Sequence, residues 1–140
     1  MCDTNYNSEK GRAIANNSKV CLSFFWESLE RQVIIKGIAQ KTSENNSDGY
    51  FDSRPDGSKL GAIVSNQSEV VPSREYLDES FKQLEKDFEG KEILRPKYWG
   101  GFLVTPLEVE FWQGRPNRLH DRIRYSLNDD YSWSINRLAP

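Results

Sequence analysis

At 140 residues the chain has the length of one domain with room for an apolar core, and its 36% hydrophobic and 29% charged content is that of an ordinary soluble protein. A net charge of -2 gives no bulk electrostatic drive toward nucleic acid. No apolar run approaches a membrane span and the N-terminus carries no signal-peptide pattern, so a cytoplasmic protein with neither membrane nor nucleic-acid partner is expected. Cys2 and Cys21 show no metal or redox spacing, so reduced thiols and no metal site are expected.

In chain order, Ser8 to Asn17 reads as a short helix with Ser8 as its N-cap. Lys19 to Trp26 reads as a strand with Val20, Leu22, Phe24 and Trp26 on one face. Arg31 to Gln40 is a second strand, and the short link Glu27 to Glu30 makes the pair a hairpin. Ser43 to Ser53 is a polar helix and Asp56 to Ser65 a weaker one. Ser73 to Gly90 carries the clearest helical signal. Ser73 caps it, Leu77, Phe81, Leu84 and Phe88 form one apolar stripe, and Gly90 stops it. That stripe is read as core. From Gly101 the pattern is β, with strands over Phe102 to Thr105, Glu108 to Gln113, Ile123 to Leu127 and Trp133 to Leu138, and a turn at Asn128 to Asp130. Strands interrupted by short helices predict an α+β architecture around a small barrel.

The segment Glu110 to Arg122 gathers Arg115, Arg118, Arg122, Trp112 and the single histidine, His120. Arg118, His120 and Arg122 alternate at a spacing of two, which in extended backbone puts them on one face. Cations beside an indole suit an anionic, planar ligand. Read without context, the same residues equally describe a basic surface loop.

The wider sequence resembles the pyridoxamine 5'-phosphate oxidases. The resemblance rests on Trp99-Gly100-Gly101, on Glu110-Phe111-Trp112-Gln113-Gly114, on Arg118-Leu119-His120-Asp121-Arg122 and on the terminal Arg137-Leu138-Ala139-Pro140. It extends upstream through Arg31-Gln32-Val33, Tyr50-Phe51-Asp52-Ser53-Arg54-Pro55 and Gln67-Ser68. It implies a split β-barrel of antiparallel strands with peripheral helices, holding FMN at the interface of a homodimer. Residues 1–98 would then be the flavin-binding barrel portion and 99–140 the dimerisation region, within one structural domain. The implied reaction oxidises pyridoxine or pyridoxamine 5'-phosphate to pyridoxal 5'-phosphate, with O2 reduced to H2O2. The absence of a Gly-x-Gly-x-x-Gly run agrees in disfavouring a Rossmann nicotinamide site.

Carried over residue by residue, the resemblance assigns FMN contacts to Thr4, Lys10, Gln32, Gln67, Ser68, Trp112 and Arg122. It assigns substrate contacts to Tyr50, Arg54, Ser58, Arg118 and His120, with Arg118 and His120 over the reacting ring as the catalytic pair. Tyr50, Arg54 and Ser58 are spaced by four and would converge on a phosphate from helical or turn-like backbone, although alone they also describe a capped helix end. Two positions depart from the family pattern: Asp3 stands where an aromatic residue is usual, and Glu9 where an arginine is usual. The family's usual N-terminal segment, with its first barrel strands and further ligand contacts, is also not found ahead of Cys2. A non-catalytic remnant that binds flavin or pyridoxal phosphate, or only dimerises, is therefore the competing expectation.

Overall fold

The computed structural model describes residues 2–140. Its elements are β1 (Cys2–Asn5), α1 (Glu9–Asn16), β2 (Lys19–Trp26), β3 (Arg31–Lys41), α2 (Glu44–Asp52), α3 (Asp56–Val64), α4 (Arg74–Asp87), β4 (Trp99–Gln113), β5 (Asp121–Leu127) and β6 (Trp133–Leu138). The strands pair antiparallel wherever their register is defined, and the four helices make the class α+β, as the sequence predicts. The residues divide into two compact units. One takes in the chain up to Asn16 together with Gln40–Leu103, and the other Asn17–Ala39 with Val104–Pro140.

The first unit holds the helices. Ser8 caps α1 by accepting a 3.1 Å hydrogen bond from the Gly11 N–H. Ser43 caps α2 through the Asn46 N–H, and Ser73 caps α4 through the Tyr76 N–H. These caps satisfy helix-end donors that would otherwise lack partners. Phe51, Leu60, Ile93 and Trp99 form the buried core, with Phe81, Leu84 and Phe88 of the α4 stripe packed against it. Phe51 is fully buried, which stabilises by about 1.5–3 kcal/mol, and it meets Trp99 edge-on at 5.2 Å. β1 pairs with the opening residues of β4, from Cys2 opposite Phe102 to Asn5 opposite Trp99.

The second unit is all strand, in the hydrogen-bonded order β2-β3-β4-β5-β6. The β2–β3 hairpin turns through a short 3-10 segment at Glu27–Leu29 and closes at Glu30, whose φ of 48° is left-handed. At Gly37 a side chain would collide with the Thr105 carbonyl, so β3 and β4 approach there because residue 37 is glycine. Val20 and Leu22 are half-buried, but Phe24 and Trp26 of the same predicted face stack on one another and stay 45% and 47% exposed.

One strand boundary differs from expectation. The two predicted strands before residue 113 are a single strand of 15 residues, Trp99–Gln113, running through Pro106. Proline lacks the N–H that a ladder requires. The ladder to β1 ends at Phe102 and the ladder to β5 begins at Glu108, so neither asks a bond of Pro106.

Candidate functional site

Two depressions gather most of the residues singled out by the sequence, one in each unit. The first is a polar cleft of about 640 Å³ lined by Asp3, Thr4, Asn5, Tyr50, Arg54, Ser58, Gly61, Ala62, Ser65, Gln67 and Trp99. Its size is that of a small-molecule site. Tyr50 lies in α2, Arg54 in the link after it and Ser58 in α3, so the spacing of four does bring all three to one cleft. They reach it across a helix–turn–helix rather than along one helix, because α2 ends at Asp52.

Thr4 is buried, and its hydroxyl donates to Gln67 Oε1 at 2.7 Å. The Asn5 N–H donates to the same oxygen at 2.9 Å. The Asn5 side-chain oxygen is in turn taken by the Asn7 N–H. The Arg54 guanidinium lies over the Trp99 ring at 4.9 Å, and Tyr50 stacks on the same indole, 6° from parallel. Arg54 Nη1 is buried and has no hydrogen-bond partner, and the same is true of Asp3 Oδ1. Burial pushes the Asp3 carboxyl above its ordinary value, while nearby positive charge, Arg54 included, opposes that shift. Lys10 and Ser68 do not line this cleft. Exposed Lys10 reaches Cys2 Sγ at 3.5 Å, and Ser68 sits in left-handed backbone with φ of 75°. Glu9 is exposed in the first turn of α1.

The second depression, of about 540 Å³, is mainly apolar and belongs to the strand unit. Trp26, Leu29, Val33, Phe111, Trp112 and Ile123 line it together with Gln32 and Gln113 and with the charged Arg31, Arg115 and Asp121. Gln32 also donates to Ser23 Oγ. Gln113 fastens the rim by accepting from Arg31 Nε at 2.7 Å and donating to the Leu29 and Glu30 carbonyls.

The motif beyond it corrects one expectation. Arg118, His120 and Arg122 do not share the face of an extended segment. Residues 116–118 form a 3-10 turn, and Asn117 and Arg118 both have φ of 61°. Two successive left-handed residues destroy the period of two on which that reading depended. Arg118 is left exposed on the turn. His120 is half-buried against Trp112, ring centres 4.9 Å apart, and its Nδ1 accepts from the Arg115 N–H. Asp121 holds both Arg115 and Arg137, and those hydrogen bonds keep its carboxyl below its usual range.

Each nitrogen of the Arg122 guanidinium has a partner. Its Nε and Nη2 donate to the two Glu110 oxygens at 2.7 and 3.0 Å, and its Nη1 donates to the Ala139 carbonyl. Glu110 is 9% exposed, and this fork holds its carboxyl below the usual range. Sequence reasoning missed this pair, although an acidic and a basic residue on adjacent antiparallel strands was the signal. It also missed Asp3 as part of the cleft, having noted it only as a departure.

Fold and clefts together define an antiparallel α+β protein of the split-barrel class. Its structure is similar to PhzG from Burkholderia lata, solved with tetrahydrophenazine-1-carboxylic acid, at a TM-score of 0.87 and 28% identity over 99% of this chain and 67% of that one. It also shares its fold with a pyridoxamine 5'-phosphate oxidase-related, FMN-binding protein from Nostoc punctiforme, at a TM-score of 0.74 and 15% identity over 99% of this chain and 71% of that one. Residues 1–86 match the family described as pyridoxamine 5'-phosphate oxidase, and residues 99–140 match the pyridoxine 5'-phosphate oxidase C-terminal dimerisation region. The chain belongs to the pyridoxamine 5'-phosphate oxidase family. A pyridoxine/pyridoxamine 5'-phosphate oxidase of Flavobacterium johnsoniae is 74% identical over 136 residues, 97% of this chain. The chain spans 64% of that relative's length. No helix among the described residues is long and apolar enough to cross a membrane.

Proposed function

We propose that the protein acts as an FMN-dependent oxidase, converting pyridoxine or pyridoxamine 5'-phosphate to pyridoxal 5'-phosphate with reduction of O2 to H2O2, as a cytoplasmic homodimer. The observation that carries this reading is the buried, unpartnered Arg54 Nη1 in a cleft shared with Tyr50 and Ser58. A guanidinium nitrogen without an acceptor is matched to an anion, and a phenol and a hydroxyl complete a phosphate's partners. The name of the Flavobacterium johnsoniae relative supports the substrate class.

The chain also fits the cofactor. Apolar and aromatic lining residues that include Trp112, together with the amide of Gln32, suit a planar ring that carries polar groups. The Gln67 amide nitrogen is left to donate to a polar chain or phosphate, with Thr4, Lys10 and Ser68 assigned by the family resemblance as further contacts. FMN supplies the hydride acceptor that no amino-acid side chain provides. By the family resemblance, Arg118, exposed on its turn, and half-buried His120 are contacts of the substrate ring, with His120 able to hold a proton at Nε2. The Nδ1 of His120 already accepts from Arg115, which leaves Nε2 for that role.

One observation favours a second reading, a flavin- or pyridoxal-phosphate-binding or dimerising protein without turnover. Arg122, assigned to the cofactor, already has its guanidinium committed to Glu110 and Ala139. The test is oxidase turnover with added FMN, in the native chain and in Arg54→Gln. The expected result is turnover in the first and a loss of about 10–150-fold in kcat/KM in the second, the equivalent of one hydrogen bond to a charged group. Flavin or pyridoxal phosphate binding without any oxidation would establish the second reading instead.

A further inference from the structure

We propose that Asp3 is a specificity-determining residue of the polar cleft, pairing with an ammonium group on a phosphate-bearing ligand, so that this chain favours pyridoxamine over pyridoxine 5'-phosphate. The inference rests on reading that cleft as the substrate site.

Among the residues lining the cleft only Asp3 and Arg54 carry charge, and they are of opposite sign. Each has a buried polar atom without a hydrogen-bond partner, Oδ1 on Asp3 and Nη1 on Arg54. They stand on separate elements, Asp3 in β1 and Arg54 in the link from α2 to α3. The cleft's two side-chain amide oxygens are in use: Gln67 Oε1 serves Thr4 and Asn5, and Asn5 Oδ1 serves Asn7. The Asp3 carboxylate is thus the one negatively charged acceptor among the residues that line the cleft.

Buried polar atoms without hydrogen-bond partners are unfavourable, and a ligand that satisfies both groups gains most. A phosphate alone meets Arg54 but sets a second negative charge in the same cleft as Asp3. A ligand with a phosphate at one end and an ammonium at the other matches the two orphan atoms in sign. An alcohol in place of the ammonium offers a donor without charge, and a charge-assisted bond is about twice as strong as a neutral one. If Asp3 only steadied Arg54 through its field, both ligands would depend on it equally. The discrimination between amine and alcohol, rather than affinity for either, therefore reports the proposed role.

The experiment is titration calorimetry of the native chain, Asp3→Asn, Asp3→Ser and Arg54→Gln with pyridoxamine 5'-phosphate and with pyridoxine 5'-phosphate. The native chain should favour the amine by roughly tenfold or more. Both Asp3 variants should bring the ratio to within about twofold of unity, with the alcohol bound as well as before or better. Arg54→Gln should weaken both ligands in common. An equal ratio in the native chain and the Asp3 variants overturns the inference while leaving the cleft's assignment intact. If neither ligand binds the native chain, or if Arg54→Gln spares both, the reading of the cleft falls and the inference falls with it.

Discussion

The two units solve the problem of stability differently. The first buries Phe51, Leu60, Ile93, Trp99 and Phe102 within itself, whereas the second contributes Ala39 alone to the fully buried apolar residues among those described. The second instead leaves Phe24, Phe25, Trp26, Phe111, Trp133 and Ile135 between 39% and 59% exposed. Aromatic residues left uncovered at this density have the composition of an interface core rather than of a free surface. The contrast teaches that the helical unit can be argued from its own packing. The strand unit leaves an aromatic-rich face open, and residues 99–140 of it and its neighbour match a family region described as a dimerisation region.

The sharpest way to break the comparison is Phe51→Ala. The ring is fully buried against Trp99, so its removal should cost about 3–5 kcal/mol of unfolding free energy in a urea titration. A loss below about 1 kcal/mol would show that the first unit is not anchored there.

Inside the strand unit the firmest contact is polar, the fork from Arg122 to Glu110. Glu110→Gln should cost about 1.5–3 kcal/mol at neutral pH. The folded carboxyl titrates below the ordinary 4.5, mainly because Arg122 donates to it. Its stabilisation is therefore complete above about pH 4.5 and is lost as the pH falls through the lower folded value. Urea midpoints of native and variant chains should converge in acid. A gap that stays constant from pH 7 to about pH 3 would refute the assignment.

The smallest effect on either unit's own fold, and the most telling about the exposed face, belongs to Trp133→Ser. If a second copy covers that face, self-association should weaken by about thirtyfold, near 2 kcal/mol, in sedimentation equilibrium. The monomer's melting should move little, since the ring is 39% exposed without a partner. Equal association constants for the two proteins would place the contact elsewhere.

Much of this fold can be read from the residues. The bounds of β2 and β6 follow from alternation and turn chemistry, and α4 follows from a stripe of period 3.6 behind a serine cap. Local rules fail where long-range pairing decides. The single strand Trp99–Gln113 runs through Pro106, which lies outside the stretches paired with β1 and β5, and no window of sequence contains those pairings. The alternation of Arg118, His120 and Arg122 misleads for a local reason: Asn117 and Arg118 turn left-handed just before β5 opens at Asp121. In the site, the convergence of Tyr50, Arg54 and Ser58 is legible only with the family resemblance, since their spacing alone also describes a capped helix end. The commitment of Arg122 to Glu110 and the entry of Asp3 into the cleft depend on strand register and are not.

Gln67 shows how a single peptide group can set the chemical sense of a binding surface. The Asn5 N–H can only donate, so it compels Gln67 to turn its oxygen inward and leaves the amide nitrogen for the cleft that the side chain lines. A carboxylate at position 67 would keep the inner bond and reverse the polarity of the outer end. Melting would scarcely register that exchange, whereas, if the proposed phosphate reading of the cleft holds, affinity for inorganic phosphate should fall, because the backbone bond fixes which end of the amide faces the cleft.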